Sequence, residues 1–241
     1  MNHYKQGGFT LLEVLIAVTI TAIIGVGASQ LLSGSAAAKH SLEERAIEIK
    51  NLQRLDLFLR KDFSQIAGRE VKNTYGDLAK AVTNQGDYLI EFSYSGVPTE
   101  TFNPDKKQSN ILRAGYALRA LDHEYCKDAV NTIDPSISNN ENTNCFVRIF
   151  WPVLDATSNT EPVIQILLDH VINAEIQFKG LVLDLENDAN SIRSNDWQDD
   201  WPPLSATENM LPDLVQIKLK LTTNSYGEIV RIFEVPRFAF Q

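Results

Sequence analysis

The chain has 241 residues, of which 44% are hydrophobic, and this is enough for one sizeable core or two small ones. The composition excludes disordered, collagen-like and disulfide-dense proteins. The net charge is −9, and the C-terminal part carries it, because residues 67–241 alone contribute −10. An acidic surface repels phosphate backbones and anionic headgroups, which argues against direct binding of nucleic acid.

The N-terminal region contains an apolar segment long enough to cross a membrane. Residues 9–32 read FTLLEVLIAVTITAIIGVGASQLL, and no charged residue lies between Glu13 and Lys39. About 20 apolar residues span a bilayer core, whereas the apolar part of a secretory signal needs only about 7–15. Because Lys5 precedes the segment, we expect the N-terminus in the cytoplasm and the residues after the segment outside it.

Glu13 lies inside this apolar segment, where a carboxylate at full bilayer depth costs about 2.5–3.5 kcal/mol and therefore needs a partner. Cleavage after Gly8 would create a new amine on Phe9, one helical turn from Glu13. Two simpler interpretations remain open. Glu13 could pack against another protein without any role in assembly, and the small residues 35–38 could be the cleavage site of an ordinary signal peptidase.

The apolar periodicity of a helix continues past the membrane segment. Apolar residues recur at intervals of three and four at Leu42, Ala46, Ile49, Leu52, Leu55, Leu59, Phe63 and Ile66. The opposite face is charged. The pattern predicts one helix from Phe9 to Ile66, and Gly68 is a suitable stop signal.

After residue 68 the hydrophobic pattern changes to the period of two that is typical of strands. It predicts strands at 88–94, 112–119, 145–151, 164–168, 171–178 and 215–221, and a turn at 224–227 leads into a last strand at 229–235. One long helix followed by antiparallel strands predicts an α+β fold, with the sheet packed on the apolar stripe of the helix.

Two cysteines bound a polar insertion between two predicted strands. If these strands pair, Cys126 and Cys145 come close, and in an oxidising compartment they would form a disulfide. Free thiols remain an alternative. So does a metal site, since His123 lies three residues before Cys126, but His170 is the only other imidazole in the head and a tetrahedral set is incomplete.

The acidic region 184–200 invites a calcium interpretation but does not fit the usual calcium loop, because Ala189 stands where that loop requires glycine. We expect a solvated loop and no metal or other cofactor, with an irregular calcium site as the alternative.

The sequence has no glycine-rich phosphate loop and no GxSxG elbow, so we expect no enzyme. The tryptophans in WPVLD and DWQDDWPP are expected in the core or pinning loops, with interaction surfaces as the alternative.

The stretch GFTLLEVLIA, from Gly8 to Ala17, resembles the processing signature of type IV pilins and type II secretion pseudopilins. This resemblance implies that a prepilin peptidase cuts after Gly8, that Phe9 is then N-methylated, and that Glu13 pairs with the amine of a neighbouring subunit. It implies a leader at 1–8, a transmembrane helix at 9–32, an amphipathic helix at 33–67 and a pilin-like, β-rich periplasmic head at 68–241.

The head contains strings that resemble the J-type minor pseudopilins of type II secretion: LQRLDLFLRKDFSQ, YALRAL, WPVLD, DWQDDWPP, LPDLVQIKL and GEIVRIFEVP. Residues 121–145 depart from that pattern. The resemblance implies a non-catalytic subunit of a filament tip in the inner membrane and periplasm. Its partners would be I-, K- and H-type minor pseudopilins, the major pseudopilin and the inner-membrane assembly platform. Because the N-terminal signature is shared, a minor type IV pilin for adhesion, motility or DNA uptake is the alternative.

Overall fold

The computed structural model describes residues 10–72, 76–96, 110–127, 143–155, 160–184, 191–193, 196–203, 210–224 and 226–236. The chain divides into two compact units, residues 1–50 and residues 51–241. The helix α1 (Leu11–Ser64) supplies residues 11–50 to the first unit and 51–64 to the second. The predicted helix is confirmed, although it ends two residues earlier than expected and Phe9 lies outside the described residues.

The second unit contains ten strands among its described residues. They are β1 (Val71–Lys72), β2 (Leu78–Ala79), β3 (Val82–Thr83), β4 (Ile90–Ser95), β5 (Ile111–Ala120), β6 (Asn144–Trp151), β7 (Val163–Asp184), β8 (Ser191–Arg193), β9 (Met210–Thr223) and β10 (Gly227–Glu234). The main sheet has the order β10-β9-β7-β6-β5-β4-β3, with β8 paired to β7, and every pairing is antiparallel. The α+β prediction is confirmed.

The sheet curls around residues 51–64 of the helix. The ring of Phe63 lies 5.6 Å from that of Phe92 on β4, 5.7 Å from Tyr116 on β5 and 5.1 Å from Phe233 on β10. Because β4 and β10 are five positions apart in the sheet, one side chain touches both only if the sheet wraps around it. Phe63 and Leu59 are fully buried, so this wrapped helix face is the centre of the main core.

The predicted helix stripe is buried in part. Leu55, Leu59, Phe63 and Ile66 are buried in the head, as expected from their spacing. Leu42 and Ile49, which continue the same stripe in the first unit, are 67% and 49% exposed. The sheet packs on the part of the stripe that lies in the second unit, which agrees with the predicted fold.

The opposite face of the sheet carries a second, smaller core. Alternate residues of β6 point to this face, and Val147, Ile149 and Trp151 are all buried there. Cys126, from a one-turn helix at Glu124–Cys126, packs into the same cluster. Since β6 is buried on both faces, its sequence NCFVRIFW is almost continuously apolar instead of alternating.

The two cysteines form the disulfide that the sequence predicts, with their Cα atoms 6.1 Å apart. Strands β5 and β6 pair antiparallel and bring Arg119 opposite Cys145, which places the start of the insertion beside its end. Both cysteine side chains are fully buried. The bond therefore fastens the one-turn helix onto the second core.

Replacing Cys126 and Cys145 together by alanine should lower the free energy of unfolding by about 3 kcal/mol, because the unfolded chain gains the freedom of a 19-residue loop. Urea unfolding of the purified chain, followed by tryptophan fluorescence, measures this change. Wild-type protein unfolded in the presence of a reducing agent is the control and should resemble the variant. Equal midpoints for the oxidised wild type and the variant would contradict the prediction.

The strands predicted at 164–168 and 171–178 are one strand, β7, which runs from Val163 to Asp184. His170 has a φ of 55°, and the pairing register shifts between Val171 and Asn173. The amide of Asn144 donates to the carbonyls of Val171 and Ile172, which holds the bulge in place. The polar pair Asp169 and His170 therefore marks a bulge and not the turn between two strands.

Candidate assembly site

The first turn of α1 is closed by a reciprocal hydrogen-bonded cap. The backbone NH and the hydroxyl of Thr10 both donate to Oε2 of Glu13, each at 3.1 Å. In return, the backbone NH of Glu13 donates to the Thr10 hydroxyl at 3.3 Å. This is a capping box, and the sequence TLLE already contains its pattern.

The cap changes how the carboxylate of Glu13 is accommodated in an apolar segment. Two donors from its own chain reach Oε2, and the helix N-terminus favours a negative charge in the first turn. Among the described residues both bonds converge on Oε2, which leaves Oε1 for a further donor. Gly8 and Phe9 lie outside the described residues, so the pairing of Glu13 with an amine on Phe9 stays a prediction.

Residues 11–32 of α1 present mainly apolar side chains on their exposed surface. Leu11 is 85% exposed, Ile23 72% and Leu32 75%. Among the described residues, α1 is the helix that is long and apolar enough to cross a membrane. Apolar surface of this extent is unstable in water, so this part of the helix requires lipid or other helices around it.

The following turns of the first unit combine exposed apolar and charged side chains. Leu42, Ile47 and Ile49 are each about half to two-thirds exposed. Lys39 and Glu43 form an ion pair at 3.6 Å, but both side chains are mostly in solvent, so the pair contributes little stability. This surface has the mixed character of a helix that packs against other helices.

In the head, a buried ion pair joins the helix to the sheet. Arg148 on β6 donates through Nε to Oδ2 of Asp62 at 2.6 Å and through Nη2 to Oδ1 at 3.1 Å. The hydroxyl of Tyr116 on β5 donates to the same carboxylate at 2.6 Å. Asp62 is fully buried, so these donors replace the water that its charge would otherwise require.

The surroundings of this network keep both partners of Asp62 in the donating form. Burial raises the pKa of Tyr116 well above its usual value, so its hydroxyl keeps its proton. For Arg148, burial disfavours the charge, but the hydrogen bonds to Asp62 and its negative charge outweigh that effect and raise the pKa. The rings of Phe58 and Phe150 lie 5.7 and 5.0 Å from the guanidinium and shield it from solvent.

This network was not predicted from the sequence. The sequence features that could have indicated it are Arg148, inside a strand that is otherwise almost wholly apolar, and Asp62, next to Phe63 on the helix. Each residue alone looks like a surface charge. Their pairing spans 86 positions along the chain, and only the fold shows it.

The metal interpretation of Cys126 and His123 is wrong. Cys126 is in the disulfide, and Nδ1 of His123 accepts a hydrogen bond from the backbone NH of Tyr125. Within the described ranges no three His, Cys, Asp or Glu side chains are placed to hold a metal ion. Much of the acidic region 184–200 lies outside these ranges, at 185–190 and 194–195, so the calcium alternative remains a hypothesis.

The tryptophans pack against other side chains of the head, as the sequence predicted. Trp151 and Trp201 are 7% and 4% exposed and belong to the two cores. Trp197 is half-buried and lies under Lys218, whose Nζ is 4.2 Å from the ring centroid. These side chains pack the head and are not free contact surfaces.

The first unit has an exposed apolar helix of membrane length, and in the second unit an antiparallel sheet curls around residues 51–64 of the helix. These features define a pilin-like protein. The fold is similar to that of a chain in the crystal structure of the GspK-GspI-GspJ complex from the Type 2 Secretion System of enterotoxigenic Escherichia coli. The TM-score is 0.51 at 22% identity, covering 78% of this chain and 96% of that one.

Sequence comparison defines the family. Residues 3–29 match the prokaryotic N-terminal methylation motif, and residues 30–235 match the family Type II secretion system (T2SS), protein J. Type II secretion system protein J of Vibrio cholerae is 25% identical over 237 residues, which cover 96% of this chain and 88% of that protein. The Escherichia coli protein is 24% identical over 236 residues, 95% of each chain. The chain belongs to the type II secretion system protein J family, the J-type minor pseudopilins.

Proposed function

We propose that this chain is a non-catalytic subunit at the tip of the periplasmic pseudopilus, where it primes filament assembly for export of folded proteins. The match to the protein J family over residues 30–235 carries the proposal. The similar fold in a GspK-GspI-GspJ complex supports partners of the I and K types. An H-type minor pseudopilin, the major pseudopilin and the inner-membrane platform complete the expected set.

The exposed surface of α1 supports a physical route for this function. Residues 11–32 are held in the inner membrane, with the N-terminus in the cytoplasm and the head in the periplasm. An apolar helix leaves lipid only for surroundings that are equally apolar, and a bundle of like helices provides them. The exposed apolar side chains of Leu42 and Ile49 add to this contact surface.

Affinity purification of the full chain from detergent-solubilised membranes tests the proposal. A tag at the C-terminus should recover I-type and K-type minor pseudopilins in the same fraction. A type IV pilin prepared in the same way is the matched control and should not recover them. Recovery of the tagged chain alone, under conditions where the relatives' complexes survive, would contradict the proposal.

Processing of the N-terminus gives a separate prediction. The mature chain should begin at Phe9 and carry one methyl group on its amine, which the intact mass of the membrane-purified protein measures. Gly8→Val should leave the leader of residues 1–8 attached. A mature chain that begins near residue 39 would instead indicate an ordinary signal peptidase, and it would remove the membrane helix from the proposed mechanism.

A further inference from the structure

Apolar contacts alone do not choose one rotation of α1 within the head. The buried helix face consists mainly of Leu55, Leu59 and Phe63, and it meets rings and aliphatic side chains from several strands. Apolar burial depends on area and has no preferred direction, so it restricts the rotation of the helix less sharply than a hydrogen bond does. A polar contact with strict geometry can select one rotation among neighbouring ones.

Backbone hydrogen bonds at the end of the helix fix its position along its own axis more directly than its rotation about that axis. The NH of Ala67 donates to the carbonyl of Ser93, and the NH of Ser95 donates to the carbonyl of Gln65, both at 2.8 Å. These bonds tie the residues after the helix to β4. They act on Gln65, in the turn that ends the helix, and on Ala67, and not on side chains of the helix itself, so they restrict its rotation less directly than a side-chain contact does.

Two aspartates lie at opposite margins of the buried face. Asp56 and Asp62 are six residues apart, which places them about 120° apart around the helix. Asp62 is held by Arg148 and Tyr116 on one side, and Asp56 lies 3.4 Å from Nε of Arg231 on β10. The Asp56 pair is partly exposed and weak by itself. Arg54 also donates from the helix to the backbone carbonyl of Ile166 on β7, but this contact is exposed as well. The network at Asp62 is the buried one among these directional contacts.

We propose that the buried network of Asp62, Arg148 and Tyr116 sets the rotation of residues 51–64 in the head and does not add to the stability of the fold. A buried ion pair loses much of its attraction to the cost of desolvation, whereas its geometry remains strict. The network thereby determines which helix side chains stay outside, among them Leu57, which is 66% exposed. Other subunits then contact a surface in which the exposed helix face and the sheet have one fixed arrangement.

Spin labelling of the full chain in detergent tests this proposal. Both native cysteines are in the disulfide, so cysteines introduced at the exposed positions Leu57 and Val230 can carry the labels. Their distance distribution is compared with that of the variant Asp62→Leu, Tyr116→Phe, Arg148→Met, which replaces the network by apolar groups of similar size. A rotation of about 40° moves a side chain at the helix surface by about 4 Å.

We expect the triple variant to stay folded, with an unchanged or higher thermal midpoint, and to show a broadened or split distance distribution. Glu91→Leu with Arg113→Met is the matched control, because that ion pair at 2.9 Å joins β4 to β5 on the face away from the helix. It should leave the distribution narrow. A narrow, unshifted distribution in the folded triple variant would overturn the proposal. Failure of the triple variant to fold would overturn it as well, since the network would then be a stability element.

Discussion

Replacing Arg148 alone by methionine should lower the free energy of unfolding by about 3–5 kcal/mol, because Asp62 would remain as an unpaired charge in the core. Asp62 is fully buried and receives two of its three hydrogen bonds from Arg148. Methionine has nearly the length of the arginine stem, so the change removes the guanidinium without opening a large cavity. The decrease in the free energy of unfolding therefore measures the cost of the unpaired carboxylate of Asp62 and not that of altered packing.

Urea unfolding followed by tryptophan fluorescence is the appropriate measurement, because Trp151 and Trp201 are both buried in the head. Arg113→Met is the matched control, since its partner Glu91 is 20% exposed whereas Asp62 is only 1% exposed. Its effect should be clearly smaller. Adding Asp62→Leu and Tyr116→Phe to Arg148→Met should restore stability, because neither a charge nor an unpaired hydroxyl is then left in the core. A single variant within about 1 kcal/mol of wild type would contradict the buried-charge argument.

Local patterns in the sequence predict most of the secondary structure of this protein. The helix and the last hairpin are marked by uninterrupted periodicity, which is a property of neighbouring residues. The division of β7 was wrong because Asp169 and His170 resemble a turn, whereas β6 and β9 pair with β7 and hold the strand through a bulge. Sequence neighbours contain no information about these two partners.

In the candidate site, too, features formed by neighbouring residues could be predicted from the sequence, whereas a contact between distant residues could not. The processing signature and the capping box from Thr10 to Glu13 are contiguous and therefore readable from the chain. The disulfide was predictable because two pairing strands flank the insertion. The pair of Asp62 and Arg148 was not predictable. The sequence does not show whether a charged residue is buried or exposed, because the curl of the sheet determines its burial.

Glu13→Gln should reduce recovery of partner pseudopilins about tenfold or more, a loss of at least about 1.4 kcal/mol in association, while processing after Gly8 continues. Glutamine preserves the cap, since a glutamine at this position of a capping box can still accept from the Thr10 NH. Only the charge is lost. If the carboxylate of Glu13 pairs with the amine on Phe9 of a neighbouring subunit, removing its charge leaves that amine unpaired in an apolar environment. The subunit then loses its preference for the correct vertical register.

The capping box supplies the control that distinguishes assembly from helix stability. Thr10→Ala removes the other half of the cap but leaves the carboxylate of Glu13 in place. It should weaken the first helical turn by about 1 kcal/mol and leave most of the partner recovery intact. If Thr10→Ala abolished recovery as completely as Glu13→Gln, the role of Glu13 would be to begin the helix. A Glu13→Gln chain that recovered its partners normally would exclude the charge from assembly altogether.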